Sequence, residues 1–180
     1  MSELRLTVDH LRLNYEGPFD AKDLISHVYA FLRERGFDFH QLKDFEHETQ
    51  EGKFIEWHVR PWKKWSDYAR AWPNIRIMIK KYKRVDAVVD KKKVKVGSGQ
   101  VFIYIDLHLE LDEQQRWESI PFFQFLRTLY NNFVYKVYTE RFESRMSYDM
   151  HQLYDTLERF FNVYKNYKVI SRVAPFASAH

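Results

Sequence analysis

Five polar residues at two-residue spacing are the first candidates for chemistry. Glu56 and His58 share one face of a stretch that reads as a strand, and Asp106, His108 and Glu110 share one face of another, opposite an Ile/Leu face. Were those strands neighbours, two imidazoles and three carboxylates would converge, a set suited to a hard or borderline cation or to a proton-transfer pair. A half-buried sheet alternates such residues on its solvated side in any case, and Arg60, Arg76 and Lys80 could neutralise the carboxylates. A site needs convergence, which spacing alone does not supply. The remaining histidines, at 10, 27, 40, 47, 151 and 180, show no H-x-x-x-H or H-E-x-x-H spacing. No catalytic residue, metal or cofactor is therefore expected, and an enzyme is the third reading.

Other chemistry is excluded by residue type. The chain has no cysteine, which removes disulfides, thiolate catalysis, iron–sulfur clusters and cysteine-ligated zinc. Its 5 glycines cannot be written as G-x-x-x-x-G-K-[ST] or G-x-G-x-x-G, and Gly97-Ser98-Gly99 leads into a strand instead of the helix that a phosphate cradle requires. There is no G-x-S-x-G nucleophile turn either.

Charge is distributed unevenly. The net charge is +4, yet from Arg60 to Lys95 only Asp67, Asp86 and Asp90 oppose a long run of Lys and Arg, so the rest of the chain is net acidic. Acidic residues gather at Asp44, Glu46, Glu48, Glu51 and Glu56, and again from Asp106 to Glu118. Within the basic stretch, Trp62-Lys63-Lys64-Trp65 and Lys80-Lys81-Tyr82-Lys83-Arg84 set cations beside planar rings, followed by Lys91, Lys92, Lys93 and Lys95. Cations on phosphates with rings on unpaired bases is the combination that binds single-stranded RNA or DNA. No RRM, KH, zinc-finger or helix-turn-helix signature accompanies it.

Aromatic residues make up 18% of the chain. Tyr135, Tyr138 and Trp117 join Trp62 and Trp65 as interface candidates, because tyrosine and tryptophan bury area while keeping a polar tip. Complementary charge and surplus rings give the leading expectation: a non-enzymatic protein that assembles with itself or binds a protein partner. Nucleic-acid binding through residues 60–95 is the alternative.

The elements that must position these groups follow from periodicity. Leu4, Leu6 and Val8, then Leu11, Leu13 and Tyr15, predict a strand broken near Asp9-His10. Asp20 caps a helix with Leu24, Val28, Phe31 and Leu32 on its apolar stripe, stopped by Gly36. Residues 37–60 read as a hairpin turning at Gln50-Glu51-Gly52, and Trp65, Tyr68 and Trp72 fall at the spacing of a short helical face. Ile75–Ile79 and Val101–Leu111 alternate strictly and predict a second, long hairpin, with a bulge or bend at Gly97-Ser98-Gly99. Ser119 and Pro121 start a helix running to Phe142, and Asp149 caps a final one.

Strands followed by a helical pair define an α+β protein: a twisted antiparallel sheet of about five strands, packed on one face by an early helix and a C-terminal pair. Residues 1–170 are expected to form one domain and 171–180 a tail. No secretory signal or membrane span is read, and a cytoplasmic location is expected.

Overall fold

The computed structural model describes residues 3–39, 41–64, 69–89, 92–111 and 136–169. The fold is α+β, with chain order β1 (Glu3–Pro18), α1 (Ala21–Glu34), β2 (Gln41–Thr49), β3 (Gly52–Val59), β4 (Lys63–Lys64), β5 (Ala69–Val89), β6 (Lys92–Leu111), α2 (Lys136–Tyr164) and β7 (Lys168–Val169). Among these residues the strands run in the order β1-β6-β5-β3-β2, every neighbour antiparallel, with β4 and β7 as short additions to β5.

Alternation decides which side of the sheet is buried. Val101, Ile103, Ile105, Leu107 and Leu109 of β6 and Ile75, Ile77 and Ile79 of β5 are fully enclosed on one face. Both helices cover that face. Asp20 accepts hydrogen bonds from the backbone N–H groups of Lys22 and Asp23, so α1 starts where the sequence predicts, and Gly36, at φ 73, closes it in the left-handed conformation. Leu24, Val28 and Leu32 of α1 are buried, each contributing about 2 kcal/mol through its removal from water. On α2 the stripe is Phe142, Met146, Met150, Leu153, Leu157, Phe160 and Phe161, and Phe161 stacks on Tyr15 of β1 with ring centres 4.4 Å apart.

Three local expectations are corrected. Asp149 does not cap a helix: α2 runs unbroken through Phe142, Asp149 and Met150, and Asp149, buried, pairs with Arg35 at the C-terminus of α1. An aspartate is unfavourable within a helix, but here the Arg35 guanidinium lies against it and ties α2 to α1. The expected helix from Ser119 falls, for residues 119–135, outside the described set. Trp72 is not helical. It lies in β5 beside Pro73, at the point where the edge of β5 passes from β4 (Ala71) to β3 (Ile75), so the missing proline N–H costs no pairing on that side. Finally, the bulge near Gly97-Ser98-Gly99 belongs to the facing strand. Lys81 and Tyr82 of β5 together oppose the single residue Gly99 between the pairs Lys80–Gln100 and Lys83–Ser98, with Lys81 at φ 55. Gly97 and Gly99 leave the room: a Cβ on Gly97 would stand 2.1 Å from the Tyr82 hydroxyl, and one on Gly99 would stand 2.9 Å from the Lys80 carbonyl oxygen.

The break predicted in β1 is present, with register shifts between Leu6 and Val8 and between Val8 and Leu11, and with His10 at φ 44. The hairpin β2–β3 turns at Gln50-Glu51, as its sequence predicts.

Candidate nucleic-acid interface

The sheet's second face carries the polar halves of the alternating strands, and among the described residues no helix packs on it. Its composition follows from the register. Reading across the sheet from β2 to β1, one row is Lys43, His58, Arg76, Tyr104 and Arg12. The adjoining row is Phe45, Glu56, Met78, Phe102 and Asn14. Five strands at their usual spacing make each row about 19 Å wide. The first row therefore lays three permanent cations and an imidazole across the sheet with no carboxylate among them, beside a row holding two phenylalanines.

Cations and rings touch along these rows. The Arg12 guanidinium lies 5.8 Å from the Tyr104 ring centre, the Lys80 ammonium 5.1 Å from Phe102 and the Lys43 ammonium 5.4 Å from Phe45. Phe45 is 46% exposed and meets Phe54 edge-on at 6.4 Å. Toward β4, Arg70 lies 5.1 Å from Trp62 and 5.3 Å from Trp72, and the Trp72 Nε1–H donates to Glu110 at 2.9 Å.

The carboxylates of this face sit outside the cationic row and are mostly engaged. Glu56 accepts from Lys43, Asp106 is 2.6 Å from His10 Nδ1, and Glu110 holds Trp72, while Glu16 stands at the far end of the row through Lys80. Arg76 has no carboxylate partner among the described residues. It is exposed between His58 and Tyr104.

The candidate metal or proton-transfer set does not come together. Strand β5 separates β3 from β6, and the row through His58 meets β6 at Tyr104, four positions from His108. That places the two imidazoles about 13 Å apart along the strand and about 10 Å apart across it. His58 Nε2 is 2.5 Å from Asn74 Oδ1 instead. Among the described residues no three His, Asp or Glu side chains are grouped to hold a metal ion.

The basic stretch is divided among four places. Lys63 donates to the carbonyl of Arg35 and lies 5.3 Å from the Phe37 ring, closing the C-terminus of α1, and exposed Lys64 follows it in β4. Lys80 joins the open face. Lys81 pairs with Glu51 at 3.2 Å, while Lys83, Arg84 and Lys95 line an open groove of about 770 Å³ whose opposite bank carries Asp44, Glu46 and Glu48. The N-terminus of α1 also borders this groove, but its first amides are already bonded to Asp20 and to the Tyr82 hydroxyl. Burial and the nearby Asp20 push the Tyr82 hydroxyl's pKa up, against the opposing pull of its bond from Ala21 and of Arg84. Lys93 is exposed on the arm beyond the groove. Lys91, Trp65, Trp117 and Tyr135 lie outside the described residues, as do the side chains of Lys92 and Tyr138.

Sequence reasoning missed Arg12, Lys43, Phe102 and Tyr104. Parity could have found the two rings, which share the face of Asp106. The two cations join through strand pairing, which a single sequence does not disclose.

Among the described residues no helix is long and apolar enough to cross a membrane. No protein-family model, curated protein or solved structure matches the chain.

Proposed function

We propose that the chain is a non-enzymatic protein that binds single-stranded nucleic acid on the open sheet face. The observation that carries this reading is the carboxylate-free row Lys43, His58, Arg76, Tyr104, Arg12 beside exposed Phe45 and half-buried Phe102 of the next row. Cations at strand spacing attract phosphates, and half-buried rings fixed by a sheet offer stacking surfaces to bases that are not already paired. A duplex hides its bases' flat faces and gains only from the charges, so the geometry favours single strands. A cytoplasmic setting, the expectation from the sequence, would put the face within reach of RNA. The test is fluorescence anisotropy with a labelled 12-nucleotide single strand and an unlabelled duplex competitor. Phe102→Ala and Trp72→Ala should each weaken single-strand binding about ten-fold. Unchanged affinity in both variants, or equal competition by duplex, would refute the reading.

A second reading is self-association or docking of a charged protein partner. It draws on the groove between Lys83, Arg84 and Lys95 and the acidic bank of β2, and on Tyr148, 58% exposed on α2. Light scattering across protein concentration at low and high salt tests it. A monomer at every concentration, with no copurifying protein, would exclude it.

A further inference from the structure

The sheet holds a notch along β5, inside its outer edges. On the side of β5 that carries β3, pairing ends at Lys53–Tyr82 and resumes with β7 at Ala87–Val169. Among the described residues no strand pairs with Lys83, Arg84, Val85 and Asp86 on that side, over a length of about 14 Å, and β6 covers only their other side. The notch lies at the groove of Lys83, Arg84 and Lys95, which the N-terminus of α1 and the acidic bank of β2 also border. β7 points along it. That strand is antiparallel to β5, with Lys168 at Val88 and Val169 at Ala87, so each further residue steps towards Lys83.

We infer that residues 170–173 extend β7 through the notch and fill the groove with the chain's own segment. These residues lie outside the described set, and the β7 register assigns their partners: Ile170 opposite Asp86, Ser171 opposite Val85, Arg172 opposite Arg84 and Val173 opposite Lys83. The length fits. Ala174 would fall opposite Tyr82, where Lys53 already stands, and Pro175, with no N–H to give, ends the ladder there. The extension takes β7 from 2 residues to about six, the usual length of a strand, and its Val169, Ile170 and Val173 are strand-favouring types. One pairing opposes it, since Arg172 faces Arg84. Two carboxylates offset that repulsion: Asp86, diagonal to Arg172 at about 7 Å, and Glu48, about 8 Å away on the register and without an ion pair among the described residues. A partner that docks in the groove must first displace this segment.

The chain has no cysteine, so an introduced pair reports without background. Val85→Cys with Ser171→Cys, and Arg84→Cys with Arg172→Cys, are consecutive cross-strand pairs, one of the close and one of the wide type, both within disulfide reach. Under mild oxidation of the whole chain each should close within the monomer. The shifted pair Val85→Cys with Val173→Cys, about 7–8 Å apart, should stay open. Hydrogen exchange supplies a second readout. The amides of residues 83–86 that face the notch should exchange about ten-fold faster in a chain ended after Val169, with those of β1 and β6 unchanged. Failure of both in-register pairs to close, or closure of the shifted pair at the same rate, would overturn the inference. Disulfides that form only between two molecules would overturn it too, by assigning the notch to a second copy. Equal exchange at residues 83–86 with and without the segment would show that it does not pair there.

Discussion

Removing charge from the cationic row gives the most direct test, because the expected change is a slope and not only an affinity. Arg12, Arg76 and Lys80 are the open face's candidates for phosphate contact, since Lys43 is already held by Glu56. Three displaced counterions on a single strand give a slope of about −2.1 in log affinity against log salt. Raising salt from about 50 to about 200 mM should then weaken binding about 18-fold. The double variant Arg12→Ala, Arg76→Ala removes two contacts, and the slope should fall to about −0.7, a loss of only about three-fold over the same range. Neither residue is buried, so the fold should persist, which circular dichroism checks. Lys93→Ala, on the arm beyond the groove, serves as the control and should leave the slope unaltered. A wild-type slope near zero would refute the reading. So would a double variant whose slope matches wild type, or a Lys93 variant that changes it as much as the pair does.

Other expectations concern the fold that holds the face. Asp149→Ala leaves the Arg35 guanidinium without its buried partner and should cost about 2 kcal/mol, measured by urea denaturation, with Asp149→Asn costing less. Gly97→Ala drives a methyl into the Tyr82 ring, held against Phe19, and should destabilise by about 1–3 kcal/mol; a neutral result would show that the bulge is not locked. Burial raises the pKa of Tyr15, Tyr82 and Tyr164, the last, helped by nearby Asp23, to about 12. Folding therefore favours their neutral forms, so their contribution is complete below pH 10 and is lost as pH rises from there towards 12, which alkaline titration of stability should follow.

What was legible in the sequence had a short range. The cap at Asp20, the stop at Gly36, the break near His10 and the long alternation of β6 each depend on residues within a few positions of one another, and the structure places them as the pattern predicts. Partners distant in sequence were not legible. Asp149 looked like a cap because its partner, Arg35, is 114 positions away. Gly97 and Gly99 looked like the site of a bulge because glycine marks either a bulge or the strand a bulge presses on, and only the pairing tells which. The same limit hid the candidate interface. Arg12 and Lys43 are unremarkable as single residues and become part of a row through β1–β6 and β2–β3 registers.

The rim of the sheet bears on where a partner can sit. Strand addition needs a flat, unblocked edge, and both edges are protected against it. β1 is kinked by two register shifts and a left-handed residue, and β2 carries Lys43, Asp44, Glu46 and Glu48 along its exposed length. The acidic residues of β2 and of its turn into β3 are also partly consumed within the chain, since Lys53 pairs with Glu46 and Lys81 with Glu51. Opposite charges joined inside one molecule contribute less to joining two, which weakens the complementary-surface route to assembly. On the open face the balance runs the other way. The carboxylates there hold His10, Lys43 and Trp72 in place, and Arg12, Arg76 and Lys80 are left directed at rings or solvent, with no anion of their own among the described residues. An occupant that brings phosphates and planar bases would satisfy both kinds of group at once.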